Sequence, residues 1–231
     1  MTTALILNGS GKPRGSNSGA FAAYLAKRMI DRGLETETVA VPWAIRKTPS
    51  AETLLEAAAK ADILALVTPL YVDSLPAAVT RLLEWLAERR ATSPGAQRQR
   101  LVAVLNCGYP ESAHNRTAIA ICRQFAVETG IEWVGGIGIG GGEAVAGRPI
   151  EKLGRLTRSV CRALDMTADA LAEDRPVPDE AIAAAEKPIV PPAIYRTVAW
   201  MNWKHRAKEH GAQDRLDARP FDPSDQTDPS D

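Results

Sequence analysis

The chain has no Cys-x-x-Cys pair, no long apolar run and no excess of either charge. Its three cysteines, Cys107, Cys122 and Cys161, are odd in number and far apart. That spacing argues against a disulfide framework, a zinc ribbon or an iron–sulfur site, and reads as free thiols in a reducing compartment. No apolar stretch reaches the roughly 20 residues needed to span a bilayer. Lys12 and Arg14 follow the first short apolar run rather than precede it, so no signal peptide is expected and the location is read as cytoplasmic. Lys and Arg total 28, Asp and Glu total 28. With no net field to attract them, neither nucleic acid nor an anionic membrane is an expected partner, and a small molecule fits better. Asn8-Gly9-Ser10 and Asn115-Arg116-Thr117 match the glycosylation pattern, which has no use in that compartment.

What is present is the makings of one sizeable α/β domain with an extension. The 231 residues are 45% apolar. Apolar runs at residues 4–8, 63–68, 101–106 and 131–139 read as buried strands, with 37–41 as a weaker fifth. They are continuous rather than alternating, the mark of a sheet covered on both faces. Between them, helical spacing is found at 18–32 (Phe21, Leu25, Met29 and Ile30 on one side), 52–60, 77–89, 113–128 and 149–172. Strict alternation of strand and helix predicts a doubly wound parallel sheet. In such sheets ligands bind beyond the carboxyl ends of the strands.

Beyond residue 172 the character changes. "AEDRPVPDEA" reads as a linker or the start of a short helix, and "EKPIVPP" as an extended proline segment. Residues 193–209 predict a helix with Ile194, Val198 and Met201 on one side, plus Trp200 and Trp203. Arg196, Lys204, Arg206 and Lys208 beside the tryptophans admit a peripheral membrane helix. Packing on the core with the cations in water is the preferred reading. The last stretch is acidic, proline-punctuated and expected to be disordered.

The loop after the first strand, "NGSGKPRGSNSG", brings hydroxyls (Ser10, Ser16, Ser18), the Asn17 amide, Lys12 and Arg14 to the start of a helix. Glycines let backbone N–H groups converge there, and the helix N-terminus favours an anion. A Walker loop is excluded, because Gly9 and Gly15 are one residue too far apart and Ser16 stands where lysine is required. The dinucleotide fingerprint fails because Arg14 occupies a glycine position. A plainer alternative is a turn in which Ser16 or Ser18 only caps the helix.

The loop after the third strand, "TPLYVDSLPAAV", carries Pro69 and Tyr71, and that after the fourth, "NCGYPES", carries Asn106, Gly108 and Tyr109. Each also reads as an ordinary strand-to-helix turn. Cys107 and His114 suggest a nucleophile and its base, but nothing in the sequence brings them together, and an inert buried thiol is the better reading. Gly136-x-Gly138-x-x-Gly141 formally matches the dinucleotide fingerprint. It lies at the end of the last strand with no acid-ended strand after it, so it is read instead as close backbone approach to a flat ligand or another subunit.

With these three loops the chain resembles the flavodoxin-like NAD(P)H-dependent FMN reductases, a group that includes quinone-reductase-like members. The matching pieces are "NGSGKPRGSNS", "TPLYVDSLPA" and "LNCGYPES", over about three-quarters of the chain. The resemblance implies a flavodoxin-like five-stranded parallel sheet of order 2-1-3-4-5 in residues 1–173. A C-terminal helical extension (174–212) and an acidic tail (213–231) follow. It implies FMN as cofactor and NAD(P)H as co-substrate. Ser10, Ser16, Asn17 and Ser18, with Lys12 or Arg14, would hold the phosphate. Pro69, Leu70, Tyr71 and Val72 would line the ring, and Asn106, Gly108 and Tyr109 would touch its edge. Iron–sulfur members of the group carry a compact cysteine cluster, which is missing here, so no metal is expected. Homo-oligomers are common in the group, with the flavin near the subunit interface.

The function so implied is electron transfer from NAD(P)H to a small acceptor: a quinone, a flavin, a nitro or azo compound, or a metal ion. The cofactor carries that chemistry, so no catalytic side chain is named. The alternatives are a flavodoxin-like electron carrier or signalling module, and a flavin-free structural role. Carriers of that type usually show an acidic face, whereas here the acids cluster in the tail, which favours the enzyme.

Overall fold

The computed structural model describes residues 2–12, 14–92 and 97–219. Five parallel strands form one sheet in the order β2-β1-β3-β4-β5. They are β1 (Thr3–Asn8), β2 (Glu35–Ala40), β3 (Ile63–Pro69), β4 (Arg100–Asn106) and β5 (Glu132–Ile139). This is the expected flavodoxin-like arrangement. The helices of the compact unit are α1 (Asn17–Ile30), α2 (Val41–Ala44), α3 (Thr48–Lys60), α4 (Ala77–Ala91), α5 (Arg116–Thr129), α6 (Arg158–Ala172) and α7 (Asp179–Ala185).

The strand sequences account for their places. Apart from half-buried Pro69, β3 and β4 are buried throughout, and both are central. Successive side chains of a strand point to opposite faces, and the core divides accordingly. Ile6, Val67, Val104 and Ile137 pack with Phe21, Leu25 and Met29 of α1 and Leu164 of α6. Leu5, Leu7, Leu66 and Leu105 pack with Leu54 of α3, Leu82 of α4 and Cys122 of α5 on the other side. β2 is the edge strand; Glu35, Glu37 and Thr38 face water, the charged edge that discourages pairing with another chain.

Helix boundaries show where local signals are overridden. Ile30 is 56% exposed because one residue of helix turns it about 100° from buried Met29. The helix expected over 149–172 is instead a 3-10 segment (Ile150–Leu156) and then α6. Gly154, at φ 57 and ψ −121, breaks it, and Thr157 Oγ1 donates to Ile150 C=O across the kink at 2.6 Å. α6 is held against α1 by Arg28 and Arg32, whose Nε groups donate to Asp165 (2.6 Å) and Asp169 (2.5 Å).

The compact unit runs to Val190 rather than stopping at residue 173. Val177, Ala181, Ala185 and Ile189 are buried in its core. Gly135 leaves the space for Val177, whose Cβ lies 2.6 Å from where a side chain at 135 would begin. The second unit begins at Pro191 and contains α8 (Pro192–Glu209). Within it Ile194, Val198 and Met201 are 55, 49 and 59% exposed. Trp200 and Trp203, also exposed, lie on the opposite side of the helix, so its apolar residues form no single face. Lys204 Nζ sits 4.0 Å over the Trp200 ring. Most of the acidic tail, residues 220–231, lies outside the described residues. Among the described residues no helix is long and apolar enough to cross a membrane.

One stability prediction arises at the sheet's lower end. Asp62 Oδ2 accepts from Thr3 N–H (2.8 Å) and Thr3 Oγ1 (2.9 Å), joining β1 to the turn before β3. These bonds, the backbone one foremost, hold the Asp62 carboxyl below its ordinary pKa. A depressed carboxylate pKa adds stability above the unfolded value of about 3.9, lost as pH falls through the lower folded value. Asp62→Asn is therefore expected to destabilise the protein by about 1–2 kcal/mol at neutral pH. In urea melts this difference should shrink as the solution is acidified below about pH 3.9.

Candidate functional site

The carboxyl ends of β1, β3 and β4 open into one cavity of about 220 Å³. Its walls come from all three strand-end loops. Ser10, Lys12, Ser16, Asn17 and Ser18 line it from the first, Pro69, Leu70 and Tyr71 from the second, and Asn106 and Gly108 from the third. Gly15, Cys107 and Glu143 complete the lining.

The first loop is built on a close approach. A side chain at Gly9 would begin 2.3 Å from Thr68 Oγ1 and 2.6 Å from Val79 Cγ2, so only glycine lets the chain leave β1 here. The Asn8 side chain then accepts from Ser10 N–H (3.1 Å), and Ser10 Oγ accepts from Lys12 N–H (3.3 Å). Ser16 is the N-cap of α1, its Oγ accepting from Gly19 N–H at 2.9 Å. The capping alternative is therefore real for Ser16, and its hydroxyl hydrogen remains a donor. The N–H groups of Asn17 and Ser18, in the first turn, have no acceptor within the helix. Backbone N–H groups, three hydroxyls and Lys12 together form a donor set suited to a phosphate monoester.

Asn106 ties the loops together from beneath. It is buried, and its Nδ2 donates to Ser18 Oγ (2.8 Å) and Thr68 C=O (3.1 Å). Leu70 N–H donates to Asn106 C=O at 2.8 Å, pinning the second loop to the third. Polar ends and an apolar middle (Pro69, Leu70, Tyr71) suit a ligand with an anionic tail and a flat ring.

Three of the expected site residues do not line this cavity. Arg14 lines an adjoining groove of about 410 Å³, which it shares with Lys12, Tyr24 and Lys27, but not the cavity. Val72 is 99% exposed at the tip of its loop. Tyr109 is 57% exposed and stacks on His114, ring centres 4.6 Å apart. At Val72 the reversal of the loop just past Tyr71 turns the side chain outward.

Cys107 is buried. Its sulfur lies 3.5–3.8 Å from the carbonyls of Tyr109, Glu111 and Ile139, and 3.5 Å from Asn115 Nδ2. Burial pushes its thiol pKa up, which matches the inert reading. His114 is engaged with Tyr109 instead. Asn115 of the second glycosylation pattern is fully buried. Among the described residues no cluster of His, Cys, Asp or Glu is arranged to hold a metal ion.

The sequence reading missed the return of the chain after β5. The glycines at the end of β5 and just after it approach the chain's own backbone and side chains closely. A side chain at Gly140 would begin 2.2 Å from Pro110 C=O, and one at Gly136 would begin 2.6 Å from Ile119. The segment then delivers Glu143 to the cavity beside Gly108, and Gly147 to the first loop, where its N–H donates to Asn17 Oδ1 at 2.8 Å.

A parallel sheet of order 2-1-3-4-5, with the loops of β1, β3 and β4 converging on one cavity, is the flavodoxin-like arrangement. The sequence model of the NADPH-dependent FMN reductase family matches residues 2–134, and the chain belongs to this family. It is accordingly an NAD(P)H-dependent flavin oxidoreductase that uses FMN. No curated protein matches the sequence. Solved structures share the fold at low identity. An NADH:FMN oxidoreductase (EMOB, apo form) has a TM-score of 0.58 at 16% identity, over 83% of this chain and 97% of its own. RosB, solved with 8-demethyl-8-formylriboflavin-5'-phosphate, has 0.54 at 19%, over 80% and 85%. A putative quinone reductase from Klebsiella pneumoniae has 0.54 at 14%, over 77% and 88%.

Proposed function

We propose that the cavity takes FMN with its phosphate on the β1 loop and its ring between the β3 and β4 loops, and that the protein reduces a small, planar organic acceptor such as a quinone. The observation that carries this reading is the convergence of all three loops on one cavity, polar at the α1 end and apolar at Pro69–Tyr71. Bound FMN supplies the hydride and electron transfer. Ser10, Ser16 and Ser18 hydroxyls and the first-turn N–H groups of α1 hold the phosphate. Lys12, which borders both cavity and groove, is the cation on the phosphate side; Arg14 serves the groove. Pro69, Leu70 and Tyr71 shape the ring slot, and Asn106 and Gly108 border its edge. Tyr109, beside that edge, belongs to the rim. A homo-oligomer and a cytoplasmic location accord with this reading.

Purified protein is expected to show paired near-ultraviolet and blue absorption bands, to bleach with NADH or NADPH without oxygen, and to recover colour on adding a naphthoquinone. Lys12→Ala should weaken FMN about three- to tenfold, Arg14→Ala less, as suits an exposed charge on a phosphate. Colourless protein that also ignores added FMN in a titration would end this reading.

A further inference from the structure

The loop after β3 ends in a tight reversal whose residues break the usual rule. Tyr71 N–H donates to Ser74 C=O (2.9 Å) and Ser74 N–H to Tyr71 C=O (3.1 Å). Between them, Val72 and Asp73 stand at φ 50 and 57. Positive φ at both central positions is the type I′ turn, which favours Asn-Gly because side chains crowd the backbone there. Valine is among the least suited residues, its branched Cβ meeting the preceding carbonyl. Here it is also 99% exposed, so no packing offsets the strain. An apolar side chain held in water by a disfavoured backbone suggests a role for that side chain.

Its place suggests which. Leu70 and Tyr71 line the ring slot, and Val72 is the next residue outward. The base of the loop is fixed by Leu70 N–H on Asn106 C=O (2.8 Å), and its tip is closed by the paired Tyr71–Ser74 bonds, so Val72 projects one residue beyond the lining. Beside it, exposed Asp73 places a negative charge. Tyr71 adds a half-exposed aromatic surface. An apolar knob next to a carboxylate favours a neutral, apolar-edged molecule over an anionic one.

We propose that Val72 is a specificity-determining residue, forming the outer wall against which a neutral planar acceptor, of the naphthoquinone class, rests beside the flavin slot. This inference rests on the FMN reading given above.

The test uses the FMN-loaded protein and Val72→Asn, since asparagine accepts positive φ. Two quantities are measured: kcat/KM for 2-methyl-1,4-naphthoquinone relative to ferricyanide, and the Kd of the naphthoquinone for the oxidised protein from quenching of flavin fluorescence. The ratio is expected to fall fivefold or more, the Kd to rise by a similar factor, and the unfolding midpoint to stay level or rise. Val72→Ile, apolar and branched, should keep the ratio within twofold. A ratio and Kd unchanged in Val72→Asn would overturn the proposal while leaving the FMN reading intact. So would a changed oligomeric state in that variant, which would make Val72 a contact between copies of the chain. Parent protein that binds FMN but passes no electrons to any quinone overturns both.

Discussion

Gly147→Ala is expected to weaken FMN binding by about a hundredfold while leaving the fold in place. Gly147 sits at φ 66, and an added Cβ would begin 2.0 Å from the Gly15 carbonyl oxygen and 2.3 Å from its carbon. Backbone atoms cannot yield as a flexible side chain would, so either the 142–147 turn or the phosphate loop must retreat. The loop is the softer partner: Gly11, Lys12, Arg14 and Gly15 are all exposed, whereas Gly142 and Val145 are buried. Retreat would also stretch the bond from Gly147 N–H to Asn17 Oδ1 at the first residue of α1. The first-turn N–H groups would then aim away from the phosphate position. Left-handed backbone alone costs an alanine about 1–2 kcal/mol, so with the collision relieved by the exposed loop the melting temperature should drop by roughly 2–8 °C. Gly130→Ala is the matched comparison. Gly130 has φ 63 but nothing within 4 Å of its would-be Cβ, so it carries the same backbone strain without the collision. Equilibrium dialysis of FMN against both variants, with thermal melts of each, separates the effects. FMN affinity within threefold of the parent in Gly147→Ala would remove the 147–15 contact from the cofactor site.

That contact also marks the limit of what the sequence shows. Strands β1, β3 and β4 are legible because central parallel strands must be apolar on both faces, and their runs are unbroken. The ligand cavity is legible for a related reason: once strands alternate with helices, the topology alone names the binding end of the sheet. β2 is faint because an edge strand needs no such run, and Glu35 and Glu37 interrupt it. The glycines at the end of β5 are ambiguous in sequence because a glycine records that something comes close, not what comes close: Gly136 approaches Ile119 of α5, and Gly140 approaches Pro110. Gly147 and Asn17 are 130 residues apart in sequence, and no spacing rule reaches that far. Val72 reads as a ring contact because it follows Tyr71; the positive φ that turns it outward belongs to the turn and not to any preference of valine.

Asn106→Leu is expected to lower stability by about 2–4 kcal/mol, the largest single-residue loss at the site. The two side chains are close in volume, so the cost is not chiefly a cavity. It comes from removing two buried hydrogen bonds, one to Ser18 Oγ and one to Thr68 C=O, at positions that are 1% and 0% exposed. Each buried partner deprived of its donor costs about 1–3 kcal/mol because water cannot reach it. The substitution also tests whether the three loops act as one unit. Ser18→Ala removes the acceptor on the α1 side alone, and is expected to cost about 1 kcal/mol. If the Asn106–Ser18 bond couples the third loop to the first, the double variant should cost less than the sum of the singles by about 0.5–1 kcal/mol or more. Urea denaturation of the four proteins, parent included, supplies that difference. FMN binding should show the same coupling, since Asn106→Leu frees the start of α1, where the proposed binding mode puts the phosphate. Strict additivity in both measurements would mean that the loops are placed independently by their strands. Coupling in both would mean that an edge contact of the ring slot also sets the phosphate cradle, through Asn106 Nδ2.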